Sequence, residues 1–66
     1  MIKETIKFDI SKEKTLNGRE KSINTQIQKS IDLYNSRGWI VLEHRVINKT
    51  NTHATVGFTL KKMVRV

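Results

Sequence analysis

The sequence predicts an α+β fold: β-α-β-β, a three-stranded antiparallel or mixed sheet with one helix packed on one face. Three observations carry this prediction. Apolar residues alternate with polar ones at both ends of the chain, isoleucines recur at helical spacing in between, and a Gly-Trp step separates the helical pattern from the strands after it.

The first strand spans residues 2–10. Ile2, Glu4, Ile6, Phe8 and Ile10 fall on one side and Lys3, Thr5, Lys7 and Asp9 on the other, the period-two pattern of a half-buried strand. Residues 11–18 are polar and end in Asn17-Gly18, a turn dipeptide. Leu16, the one apolar residue there, is placed to staple a helix start. Asn17, with Glu20 three positions on, forms a capping-box pattern. The helix then covers residues 18–37. Ile23, Ile27, Ile31 and Tyr34, with Leu33 beside them, make a narrow apolar stripe on an otherwise polar cylinder. Gly38 stops it, because glycine adopts the left-handed backbone that ends a helix. Trp39 then falls within reach of Tyr34 or Leu33.

Residues 39–47 are rich in branched side chains and form the second strand, and residues 48–52 are a turn cluster. The third strand covers 53–62, with Ala54, Val56, Phe58 and Leu60 on one side, and residues 63–66 extend it. Parity pairs Leu42 with Phe58, Ile40 with Leu60 and Val46 with Ala54, leaving the turn cluster as the loop. A right-handed crossover from strand one to strand two leaves a gap that strand three fills, giving the order 1-3-2; the alternative places strand one beside strand two.

Residues 1–66 form a single domain. A chain this short buries about 60% of its unfolded surface and usually needs a disulfide, a metal or a partner. Without cysteine, disulfides and thiolate metal sites are excluded. A second copy is the remaining common staple, so a homodimer is expected. Its candidate interface residues lie at a sheet edge and the termini, where the subunit has little to cover them: Ile2, Glu4, Trp39, Met63, Val64 and Val66. Glu4 stands out as the acid on the apolar side of strand one. It either reaches solvent at the edge or faces a partner. Trp39 reads equally as an interface anchor or as the contact that seals the helix stop.

No catalytic constellation is visible. His44 and His53 fall on opposite faces of the hairpin, the carboxylates are dispersed, and there is no glycine-rich phosphate loop. Neither a metal nor a cofactor is expected, and the chain is not expected to be an enzyme. The formal net charge of +7, from 13 Lys and Arg against 6 Asp and Glu, attracts anions. The sheet face opposite the helix would carry Lys3, Lys7, Arg45 and Lys61, with Val41, Glu43 and a set of threonines, as a candidate anion-binding face. Apart from Trp39 at its end it lacks the aromatic platforms that bases stack on, and other cations scatter over loop, helix and turn, so nucleic-acid binding is expected to be weak. Met1 leads straight into the strand pattern with no signal sequence, and the longest apolar run, residues 39–42, is far below a spanning length; a cytoplasmic protein with no membrane contact follows as the expectation. Asn48-Lys49-Thr50 then reads as a turn and not as a glycosylation site.

Two stretches carry a family resemblance: residues 31–44, centred on Gly38-Trp39 between an amphipathic helix and an apolar strand, and residues 56–62, a strand that holds Phe58 and ends in Lys61-Lys62. Together they resemble the small bacterial and phage proteins grouped as domain of unknown function 4177, over about half the chain. The polar segment before the helix is longer here than in compact members. The resemblance implies a β-α-β-β fold and a bacterial or phage source, and supplies no catalytic residues. It supplies no settled activity either; short basic phage proteins of this kind include accessory factors and inhibitors of host defence, which work by binding a target. The leading functional expectation is therefore a non-enzymatic homodimeric module with a protein target. A phosphate-contacting nucleic-acid binder is the runner-up, and a small-ligand binder with an intersubunit pocket follows.

Overall fold

Alternation in β1 (Ile2–Asp9) and β3 (His53–Lys62), the isoleucine stripe of α1 (Leu16–Ser36) and the branched run of β2 (Trp39–Lys49) each form the element their pattern predicts, in a computed structural model that describes residues 1–64. The sheet has the order β1-β3-β2, with both pairings antiparallel. Strand β3 is central because it alone has apolar residues at every second position without interruption: Ala54, Val56, Phe58 and Leu60 are all buried beneath the helix. Phe8, Ile10, Ile23 and Ile27 complete the core, with Ile6, Ile31, Tyr34, Trp39 and Val41 packed at its margin. Leu33 stays exposed. Ile10 lies beyond the end of β1 yet is buried, its N–H donating to the carbonyl of Thr52 at 2.8 Å.

The helix start differs from its expected form. Thr15 is the N-cap, in extended backbone, and its hydroxyl accepts from the N–H of Gly18 at 3.0 Å. Asn17 lies inside the first turn, so it makes no capping box with Glu20, whose carboxylate instead pairs with the ammonium of Lys49 at the far end of β2. Leu16 is 70% exposed and staples nothing. A cap must stand one residue outside the helical backbone, and the two added helical residues move that place to Thr15. The helix end is as expected. After Arg37, Gly38 takes φ +86°, its N–H donates to the carbonyl of Asn35 at 3.2 Å, and the chain turns into β2.

The β2–β3 register also differs. Val41 faces Leu60, His44 faces Phe58 and Val46 faces Val56, not the parity pairing of Leu42 with Phe58. Bulges between Val41 and Glu43 and between Val46 and Asn48 each add a residue to β2, so simple alternation fails across them. They also lengthen the strand to Lys49, and the loop shortens to residues 50–52. Thr50 closes that loop. Its N–H donates to the carbonyl of His53 at 2.8 Å and its hydroxyl accepts from the N–H of His53 at 3.0 Å. Met63 and Val64 leave the strand rather than extending it, although the N–H of Met63 donates to the carbonyl of Gly38 at 2.8 Å.

Candidate functional site

On the face away from the helix, the register lines up cross-strand rows. Lys3, Thr59 and Glu43 form one, Thr5, Gly57 and Arg45 the next, and Lys7, Thr55 and Asn48 the third. Lys61 stands beside Ile40 at one end and Asp9 beside His53 at the other. The four cations expected on this face, Lys3, Lys7, Arg45 and Lys61, are therefore all on it. Val41 is not. The bulge after it turns Val41 to the covered face opposite Leu60 and leaves Ile40 on the open one. A shallow depression of about 210 Å³ lies at the centre, lined by Lys3, Thr5, Glu43, Arg45, Gly57 and Thr59. Gly57 shapes its floor, since a Cβ there would come within 2.8 Å of the Ile47 side chain. Glu43 and Asp9 interrupt the positive charge, so the face is mixed rather than uniformly basic.

Of the residues expected at an interface, Glu4 has a partner within its own subunit. Its carboxylate accepts from the hydroxyl of Tyr34 at 2.9 Å. The Tyr34 ring packs on Phe58, centroids 5.5 Å apart, so the acid on the apolar side of β1 serves the polar tip of a core tyrosine. Burial first, then the bond to Glu4 and the carboxylate's charge, push the Tyr34 hydroxyl above its ordinary pKa, against an opposing pull from Arg37. Trp39 packs against the core, and the Lys62 ammonium lies 5.6 Å from its ring centroid. Ile2, Met63 and Val64 are exposed. Val66 lies outside the described residues.

The histidines stand apart, as parity requires. His44 is on the covered face with its ring 6.3 Å from Phe58, whereas His53 is on the open face with Nδ1 2.9 Å from the Thr52 hydroxyl. Among the described residues, no three His, Asp or Glu side chains converge as metal ligands, and no helix is long and apolar enough to cross a membrane.

Another surface emerges from β2. Among the described residues this strand has a neighbour on one side only, and it leaves Ile40, Leu42, Val46 and Ile47 exposed at 38%, 49%, 45% and 55%. Along it only Trp39 and Val41, at its start, are half-buried. The signal was in the sequence: Ile40-Val41-Leu42 and Val46-Ile47 are consecutive apolar runs, which a strand with one solvated face does not need. The opposite edge is different. Strand β1 presents Lys3, Thr5, Lys7 and Asp9 on its open face, and edge lysines discourage strand addition. Comparison of the chain with protein-family models, with curated proteins and with solved structures finds no match.

Proposed function

We propose that this chain is a small, non-enzymatic protein-binding module that works as a homodimer. The observation that supports this reading is the edge strand β2: 11 residues long, unpaired on its outer side, with four large apolar side chains in solvent. An exposed, long, apolar edge offers unpaired backbone N–H and C=O groups together with hydrophobic area, and pairing with a strand of another chain satisfies both. The small core supplies the motive, because a core of eight buried residues among those described leaves little margin without a partner. The resemblance to the bacterial and phage family extends the reading to a cytoplasmic accessory protein or inhibitor whose target is a host protein.

Sedimentation equilibrium tests the homodimer. A mass of twice 7.7 kDa is expected at micromolar concentration, with Ile47→Lys and Leu42→Lys shifting the mass toward monomer. Wild-type protein that stays at 7.7 kDa through the micromolar range would end the homodimer reading.

A second reading rests on Lys3, Lys7, Arg45 and Lys61 sharing the open face, which suits contact with phosphates. Glu43 and Asp9 on the same face weigh against it. Submicromolar binding to DNA or RNA at about 0.15 M salt, where charges beyond about 8 Å are screened, would promote it.

A further inference from the structure

We infer that the partner of β2 is β2 of a second copy, paired antiparallel about a two-fold axis at His44. The inference rests on the homodimer reading and adds its register. Between the two bulges, residues 43–46 form a regular stretch in which Glu43 and Arg45 share the open face and His44 and Val46 the covered face. Glu43 and Arg45 are exposed, and among the described residues neither has an ion-pair partner in its own subunit. An acid and a base two residues apart on one edge are self-complementary when the strand runs against its own copy.

With the axis at His44, Glu43 lies opposite the partner's Arg45, and Arg45 opposite the partner's Glu43. The same register brings Leu42, the residue that the first bulge adds, next to the partner's Val46, and both are exposed. Moving the axis to Glu43 or to Arg45 opposes two like charges across it, which is destabilising at directly facing positions. Moving it by half a step pairs residues from opposite faces, which the pleat forbids. Of these registers, that at His44 alone satisfies charge and face together. It joins two sheets into one of six strands with both helices on one side and both open faces on the other.

The test is charge exchange. Glu43→Arg sets two cations against each other at each charged pair, and Arg45→Glu sets two acids in the same relation, so each variant alone replaces two attractive pairs with two repulsive ones. Each is expected to weaken its homodimer by roughly thirtyfold. An equimolar mixture of the two restores opposite charges at both positions, and a heterodimer of near wild-type affinity is expected by native mass spectrometry. Misfolding cannot mimic this, since an unfolded variant gains nothing from the other. A wild-type dimer whose variants dimerise normally, or whose mixture stays monomeric, overturns the register and leaves the homodimer standing. A monomeric wild type overturns both.

Discussion

Replacing Gly38 with alanine isolates the conformational cost of the helix stop. At φ +86° an L-residue meets its own carbonyl through Cβ, at a cost of about 1–2 kcal/mol. No other atom lies within 4 Å of the Cβ position, so neither a clash nor a packing gain enters. Alanine also narrows the unfolded ensemble, which returns about 0.4–1 kcal/mol. The net expectation is a loss of about 1 kcal/mol, or a fall of about 4–8 °C in Tm for a domain this size. Gly57→Ala is the control. Its backbone is ordinary, and its new Cβ meets only the Ile47 side chain, the terminal methyl at 2.8 Å and Cγ1 at an ordinary 3.5 Å, and that exposed side chain can rotate away. That variant is expected to match the wild type or exceed it. Thermal denaturation by circular dichroism, at one protein concentration because association shifts Tm, reads both. An unchanged or raised Tm for Gly38→Ala would refute the assignment of a left-handed stop.

Thr15→Ala is expected to cost about 1 kcal/mol in urea unfolding and Asn17→Ala only a few tenths, because Thr15 alone caps the helix; the reverse order would restore the Asn17 capping box. The raised Tyr34 pKa favours the neutral phenol in the folded state. Its contribution is therefore whole below the ordinary tyrosine pKa of 10.0 and is lost as pH rises through the folded value; Tyr34→Phe should flatten that alkaline decline in the urea midpoint. Anisotropy titrations should find weak, sequence-blind DNA or RNA binding at low salt that vanishes by about 0.15 M, with Lys3, Lys7, Arg45 and Lys61 carrying more of it than Lys12 and Lys14.

How much of the fold is legible in the sequence depends on which residues see their partners locally. The strand β3 reads directly, since a central strand covered by a helix on one face imposes unbroken alternation from His53 to Lys62. The order β1-β3-β2 is the one that connection rules favour over the alternative of strand one beside strand two, and Gly38 announces its own conformation. What fails involves a competing local option or an extra residue. Asn17 and Glu20 have the spacing of a cap, but Thr15 stands where the helix begins. The bulges at Leu42 and Ile47 fall where the apolar runs 40–42 and 46–47 break alternation, but a strict period-two count steps over them and therefore misplaces the β2 register and the faces of Ile40 and Val41, though not those of His44 and Val46. The partner of Glu4 is Tyr34, 30 residues away, and no spacing rule connects them. Of the candidate interface, the termini follow from their position in the chain, whereas parity assigns Ile40, Leu42 and Val46 to the core: the first bulge instead puts Ile40 on the open face and makes Leu42 its extra residue, and Val46, although on the covered face, stays exposed.

Pairing of β2 with a second copy is tested most directly by amide hydrogen exchange along that strand as a function of protein concentration. Backbone groups on the outer side of an edge strand exchange freely in a monomer and become protected when another strand pairs with them. Protection of those amides of residues 43–46 that face outward, every second one, is expected to rise with concentration in step with the dimer mass, while β1 does not change. Exchange along β2 that is independent of concentration, or protection that rises on β1 instead, would contradict the pairing.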